Sequence, residues 1–478
     1  MLQNRTQSHI VENDNKLYKF FMNARVALKK DRHLPLFFLA ILLVISHILF
    51  SVTKGNAKYL IIDSELQGHL NNLAQPILKK AGLSPEMLKI FIIKDDSIGA
   101  FVTPGMNLFI HTGLIIRTKT PSQLLGVLAH EIGHIAAGHL IRRREAIEDS
   151  QNITTIGLVL GSLAAATTQS GDVAAATAFA TQNARINSLL KFSRSQENAA
   201  DQAAVNYLIA ANTSPLGMLE FLKTLQKEES FLIDRRSQYA TTHPHTHDRI
   251  NFVKNQIDLY PDLSPRLDAK KRDRHERIIA KLIGFLTKPE ETFKRYPRSN
   301  TTIAAKYAQA IAFYKEANLA KAISELDRLI TLENENPYFW ELKGQVLLEK
   351  NEKEMARSAY EKAYSFSGDV MMLQQLAKVE LLLNTPKSNS DALKHLEKAI
   401  RMAPESPTTW KQLAVAQSRN GQLALAQLSL AEEALLRKDF ARALKNAFFA
   451  KKKTKQDLVA HQRALDIINY AKQVQDRK

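Results

Sequence analysis

The run Val127-Leu-Ala-His130-Glu131-Ile-Gly-His134-Ile-Ala-Ala-Gly-His139 places two histidines four residues apart, with a glutamate beside the first, inside an apolar stretch. On an α-helix, positions i and i+4 share one face. His130 and His134 can therefore offer two imidazole nitrogens to one tetrahedral zinc ion. Glu131 projects beside them, placed to take a proton from water. Leu124, Leu125, Val127, Leu128 and Ile132 would bury the helix and make it a rigid support. His139 lies nine residues past His130 and should point away from the ligand face. The longer pattern with a third histidine needs Gly at 137 and His at 140, where the chain has Ala137 and Leu140.

A third protein ligand must come from elsewhere. Downstream, Ser193-Arg-Ser-Gln-Glu197-Asn-Ala-Ala-Asp201 puts two carboxylates on one helical face, with small Ala199 and Ala200 between them to permit close helix approach. Taken alone, this acidic pair reads better as a solvated helix face. Coupled to the histidine motif, Glu197 completes a two-histidine, one-glutamate site for a single Zn2+, and Asp201 accepts the second ring N–H of a ligand histidine.

Two further stretches carry signals. Gly99-Ala-Phe-Val-Thr-Pro104-Gly105-Met-Asn-Leu-Phe-Ile-His-Thr112 reads as a turn at Pro104-Gly105 followed by an alternating strand from Asn107 to Thr112. Thr242-His243-Pro244-His245-Thr-His247-Asp-Arg249-Ile alternates histidines. From the residues alone these are an accessory metal site or plain loop polarity.

Together, His130-Glu131-x-x-His134, Glu197-x-x-x-Asp201, the Gly99–Gly113 segment and Thr242-His243-Pro244 resemble the HtpX and CAAX prenyl protease-like family of zinc metallopeptidases. Within it, the chain is most similar to a periplasmic subgroup with C-terminal repeats. The resemblance implies that His243 sits near the metal, as a gate over the resting site or a transition-state donor, while His245 and His247 lie at the surface. It also implies quality control of envelope proteins, including outer-membrane β-barrels during assembly. The strand residues Asn107, Leu108, Phe109 and Ile110 are expected to pair with an extended substrate through backbone hydrogen bonds.

From Ile303 the chain repeats at about 34 residues, with small and large packing positions at Ala322/Leu326, Ala356/Tyr360/Ala363, Ala392/Leu396/Ala399 and Ala426/Leu430. Trp340 and Trp410 hold the first-helix aromatic position, and Gly344 is the surviving repeat glycine. This fits tetratricopeptide helix pairs stacked into a solenoid, against a plain helical bundle. The third unit has two extra residues, expected in a loop at Thr385-Pro-Lys-Ser-Asn-Ser. Residues 431–470 read as one more degenerate pair or a cap.

The chain's 478 residues, 45% hydrophobic, suit several domains with ordinary cores. Its lack of cysteine excludes disulfide scaffolds, thiol nucleophiles and iron–sulfur sites. The net charge of +18 divides as +5 over residues 1–57, +1 over 58–260, +5 over 261–300 and +7 over 301–478. The excess lies in a leader, a linker and a tail, without interleaved aromatics, which argues against nucleic acid as a partner.

Residues 34–53 are uncharged and largely apolar, preceded by Arg25, Lys29, Lys30 and Arg32. That asymmetry keeps the N-terminus in the cytoplasm and sends the remainder across the membrane, through a retained anchor or a long signal. A second uncharged run, 151–171, is rich in Thr, Ser, Ala and Gly. It reads as a packed helix or loop, with membrane contact as the alternative.

The expected architecture is mainly α with a small β-sheet: a gluzincin-type peptidase domain over 58–260, a basic helical linker over 261–300 and the tetratricopeptide solenoid over 301–478, after the leader 1–57. The linker's Lys270–Arg277 charges are mixed and read as a solvated face. The expected function is an exported zinc metalloendopeptidase whose repeats recruit polypeptide substrates or contact the outer-membrane assembly machinery. The alternative is a chaperone or scaffold acting through the repeats.

Overall fold

The computed structural model describes residues 60–103, 105–139, 192–231, 239, 242–244, 246–263 and 268–476. Segment 34–53, the run 151–171, Pro104 and His245 lie outside the described residues. Everything from Leu60 onward belongs to one compact unit, Lys58–Lys478. Among the described residues no helix is long and apolar enough to cross a membrane.

Four strands form one small sheet: β1 (Leu60–Ile61), β2 (Lys89–Ile93), β3 (Ala100–Thr103) and β4 (Asn107–His111), in the order β1-β2-β4-β3. The β2–β4 pair is parallel (Lys89 opposite Asn107, Ile93 opposite His111) and the two outer pairs are antiparallel. This order corrects one expectation. Asn107, Leu108, Phe109 and Ile110 have a neighbouring strand on each side, so their backbone groups are spent within the sheet and cannot receive a substrate. The described edge next to them is β3.

The described α-helices of this half are α1 (Ser64–Lys80), α2 (Thr112–Arg117), α3 (Pro121–Ala136), α4 (Arg194–Ala210), α5 (Leu216–Phe231) and α6 (Thr246–Asp258). The centre is α3. Thr120 caps its first turn by accepting from the Gln123 N–H, and Pro121 sits at the first helical position, where no N–H is needed. Every residue from Pro121 to His134 is buried, because α1, α4, α5 and β3 pack around it. Burying each of Leu124, Leu125, Val127, Leu128 and Ile132 contributes about 1.5–3 kcal/mol. The HExxH residues thus stand on one of the best-supported elements of the chain.

Helix α7 (Ala269–Leu286) packs on both α1 and the first repeat helix. The solvated-face reading holds for Arg272, Asp273 and Glu276 but fails at Arg277, which is buried with its Nε donating to Glu65 Oε1 at 2.7 Å. Lys281 adds ion pairs to Asp63 at 2.6 Å and Glu65 at 3.3 Å, and Tyr307 of the first repeat donates to Glu65 at 3.4 Å. A buried carboxylate on α1 thereby ties the peptidase half to α7 and the repeats. Nothing in the local sequence of α7 separates Arg277 from its solvated neighbours.

The repeats are helix pairs: Ile303–Lys315 with Leu319–Leu332, Pro337–Glu349 with Lys353–Ser367, Val370–Leu383 with Pro386–Met402, Pro407–Arg419 with Leu423–Leu436, and Phe440–Lys453 with Leu458–Asp476. The predicted packing positions are buried except Leu430, which is half-buried. Gly344 is required by close approach, since a Cβ there would lie 2.9 Å from the Tyr360 ring. Left-handed turn residues recur at Ala317, Asn351 and Gly421. The first interval is one 34-residue period, and the second is two periods plus two residues. Those two residues do not form a loop. Thr385 and Ser388 make a capping box and Pro386 opens the helix, so the insertion lengthens Pro386–Met402 to 17 residues against 14 or 15 in the second helices of the first, second and fourth pairs.

Candidate metal centre

Helices α4 and α6 and one loop segment bring side chains to the face of α3 that carries the motif. Helix α4 can approach closely because Gly133 has no side chain: a Cβ there would come within 2.7 Å of the Ala200 carbonyl oxygen. Ala200 is the small residue that permits the approach, while Ala199 faces outward. Ser193 and Gln196 form a capping box that starts α4 so that Glu197 falls in its first turn, pointing inward and fully buried. Thr242-His243 is held from two sides, its Thr242 carbonyl accepting from the Phe192 N–H at 3.0 Å and its His243 N–H donating to the Tyr239 carbonyl at 2.7 Å.

The result is a buried group of His130, His134, Glu197 and His243 whose donor atoms lie within 4.8 Å of one another. His130 Nε2 is 3.1 Å from His134 Nε2, 3.3 Å from His243 Nδ1 and 3.5 Å from Glu197 Oε2. His134 Nε2 and His243 Nδ1 are 3.3 and 2.9 Å from Glu197 Oε1. A tetrahedron of donors about 2.0–2.1 Å from a central ion has edges of roughly 3.3–3.4 Å, so this spacing suits a small divalent cation. The chemistry agrees. Three imidazole nitrogens turned toward one another cannot all be satisfied by hydrogen bonds, and both Glu131 oxygens and Glu197 Oε2 are buried without a hydrogen-bond partner. A cation resolves that conflict, and the residues fit one.

Charges around the site are graded. Burial lowers the His134 pKa well below the ordinary histidine value and so keeps a neutral, ligating imidazole. Burial raises the Glu131 carboxyl above its usual range, with His243 and His130 opposing. Burial works the same way on Glu197, but His243 and Arg249 outweigh it and hold this carboxylate ionised. Asp201 is likewise lowered to about 2, against burial, by Arg249 and His130.

The sequence-predicted residues His130, Glu131, His134, Glu197, Asp201 and His243 are all brought together. Asp201 Oδ1 is 2.7 Å from His130 Nδ1, on the ring edge opposite the donor nitrogen. His243 Nε2 lies 3.4 Å from Glu131 Oε1. His247 is exposed and apart from the site. His139 is outside the donor group, as its spacing predicts, yet it is not remote: its Nδ1 is 2.9 Å from His134 Nδ1, on the ring edge away from the donor group.

Sequence reasoning missed three participants. Arg249, in the first turn of α6, is fully buried and bridges Asp201 and Glu197, with its terminal nitrogen 3.1 Å from Glu197 Oε2. Phe192 stacks on His134 at a centroid distance of 3.7 Å, and Tyr239 stacks on His243 at 4.4 Å. Arg249 stands two residues after His247 in the stretch already singled out, but nothing in that stretch reports that it is buried. The two aromatics carry no local signal.

Residues 64–257 match the sequence profile of Peptidase family M48. The chain is 26% identical over 374 residues to the beta-barrel assembly-enhancing protease of Yersinia pestis, covering 76% of this chain and 74% of that protein. Against the protein of the same name in Escherichia coli (strain K12) it is 24% identical over 349 residues, covering 71% and 70%. The metalloprotease LoiP of the same strain is 23% identical over 197 residues, 41% of this chain and 72% of that one. With the donor cluster and the uncommitted Glu131 beside it, residues 64–257 are a Peptidase family M48 domain, in a metallopeptidase that is homologous to the beta-barrel assembly-enhancing proteases and carries tetratricopeptide-like repeats beyond that domain.

Proposed function

We propose that the protein is a zinc-dependent metalloendopeptidase of the bacterial cell envelope that cleaves misfolded or stalled polypeptides during outer-membrane protein assembly. The observation that carries this reading is the buried group of four donors at tetrahedral spacing beside a buried glutamate that makes no side-chain hydrogen bond. The names of the relatives support the assembly role, and the apolar segment 34–53 behind four basic residues supports export to the periplasm. In this reading residues 58–260 are the peptidase, 261–300 the linker and 301–478 the repeats that recruit substrate or a partner.

His130, His134 and Glu197 would hold one Zn2+, with His243 as a fourth donor. Bound there, zinc would supply Lewis acidity, polarising a scissile carbonyl and acidifying water. The remaining work falls to the chain. Glu131 takes a proton from the attacking water on its carboxylate and later delivers it to the leaving amine. Its burial, by raising its proton affinity, matches it to both tasks. Asp201 fixes the His130 ring through Nδ1, and Arg249 balances the two buried carboxylates. An extended substrate pairs with the outer edge of β3, Ala100–Thr103, which packs against α3. His243 closes the donor set at rest and swings aside to admit substrate.

The test is metal analysis with cleavage of an unfolded polypeptide. One zinc per chain is expected, with cleavage lost on chelation and restored by zinc. Cleavage that survives complete removal of metal would overturn the reading.

A further inference from the structure

The last helical hairpin of the repeats presents large apolar side chains and lysines together at one tip. Helix Phe440–Lys453 ends there and Leu458–Asp476 begins there. Phe448 and Phe449 are each 46% exposed, and across the turn Leu458 and Val459 are 78% and 82% exposed. Single exposed apolar residues are ordinary on any protein surface. Four within twelve residues, on the two sides of one turn, exceed that background, with Lys472 Nζ standing 5.5 Å over the Phe448 ring as a further cation, and clustered exposed apolar residues mark interaction sites.

The turn holds these side chains on a firm scaffold. Thr454 is buried, and its Oγ1 and N–H both donate to the Ala450 carbonyl at 2.9 Å. The Asp457 N–H donates to the Thr454 carbonyl at 3.0 Å, and Asp457 Oδ1 caps the next helix by accepting from the Ala460 N–H at 3.0 Å. Lys452, Lys453 and Lys455 are exposed in the same turn, and among the described residues none forms an ion pair with a carboxylate. The helix macrodipole accounts for lysines in the last turn of Phe440–Lys453. It does not account for Lys455, beyond that helix, or for the exposed apolar residues on either side of the charges.

Charge decides what such a surface fits. A second copy would set lysines against lysines. A neutral apolar partner would strip the ammonium groups of water without replacing it. The boundary of an anionic bilayer meets both requirements, since aromatic and aliphatic side chains enter the acyl region while the ammonium groups stay among the phosphates. We propose that this tip, with Phe448, Phe449, Leu458 and Val459 as its apolar wedge and Lys452, Lys453 and Lys455 as its charged rim, docks on the surface of an anionic lipid bilayer. The contact lies far along the chain from segment 34–53 and does not depend on the peptidase chemistry.

The chain has no cysteine, so Gln456→Cys provides a unique, exposed attachment point for an environment-sensitive fluorophore on the full-length protein. The label is read in phosphatidylethanolamine–phosphatidylglycerol vesicles and in pure phosphatidylcholine vesicles, with a lipid-borne quencher. The proposal expects a blue shift and quenching in the anionic vesicles alone, and neither for a label at exposed Glu405→Cys. Each lysine near an anionic surface is worth roughly fivefold in binding. The triple variant Lys452→Glu, Lys453→Glu, Lys455→Glu should therefore weaken the response by more than tenfold. Leu458→Ser with Val459→Ser should abolish the blue shift with helical content unchanged, because all five positions are exposed. Equal responses in the two vesicle types, an equal response at Glu405→Cys, or full responses in both variants would overturn it.

Discussion

Arg249 grips Asp201 at both carboxylate oxygens, Nε to Oδ2 at 2.8 Å and a terminal nitrogen to Oδ1 at 2.9 Å, with neither side chain open to solvent. The same carboxylate faces His130 Nδ1 at 2.7 Å. One bidentate pair thus fixes the carboxylate that faces the His130 ring. Arg249→Ala leaves Asp201 and Glu197 buried without their cation, and losing one partner of such a group costs about 3–5 kcal/mol. Thermal unfolding of the variant should show that loss. Metal titration should show about 10–100-fold weaker binding, the range for a lost orienting partner. Unchanged metal affinity would mean that Arg249 supports the fold alone.

Glu131 and Glu197 are both buried carboxylates, yet their roles separate experimentally. Glu131→Gln keeps the shape and should retain the metal, while cleavage falls by about 10²–10⁴-fold, the contribution of a positioned acid–base group. Glu197→Ala removes a donor and should empty the site, visible as lost metal in the purified variant. Metal retained by both variants with cleavage intact would dispose of both assignments.

In the proposed site His243 is the fourth donor, where a catalytic zinc keeps a position open for water or substrate. Its removal leaves three donors, enough to hold the ion. His243→Ala should therefore retain metal, and its cleavage of an unfolded polypeptide should rise, because the closing group is gone. A fall in kcat with metal retained would instead make His243 a donor to the reacting groups.

A second histidine pair sits away from the site. His69 Nε2 and His275 Nδ1 are 3.1 Å apart, and His275 Nε2 lies 3.0 Å from the Thr118 carbonyl oxygen. Burial, with neighbouring His275, Arg274 and Arg277, lowers the His69 pKa to about 3, and burial lowers His275 to about 4. Unfolded, both take a proton near pH 6.5. Between there and about pH 4 the unfolded chain therefore binds more protons, and stability falls as pH falls. Urea unfolding should lose about 5 kcal/mol between pH 7 and pH 4.5. A His69→Gln, His275→Gln variant should show a flatter slope, whereas an equally steep one would place the acid sensitivity elsewhere.

Much of the site was readable in advance because it is local. The pairing of His130 with His134 needs only a helix, and the Glu197/Asp201 pair likewise. The 34-residue period announced the repeats for the same reason, since each helix pair reuses the same small and large packing positions. Arg277 shows where such reading stops. It belongs to a mixed-charge run typical of solvated helices, and only the arrival of Glu65 from α1, 212 residues earlier, makes it a buried ion-pair partner.

The sequence by itself determined the helix that carries His130, Glu131 and His134, an acidic pair downstream on a second helix, and the helical repeats, because 3.6-residue periodicity and capping act over a few turns. Tertiary structure alone decided that β4 is interior and β3 lies at the described edge, since strand order depends on pairing between distant segments. It also decided that Gly133 admits Ala200 closely enough to bring Glu197 to the histidines, and that Arg249, 119 residues from His130, neutralises the carboxylates behind them. Those are long-range packing outcomes, and no window of neighbouring residues contains them.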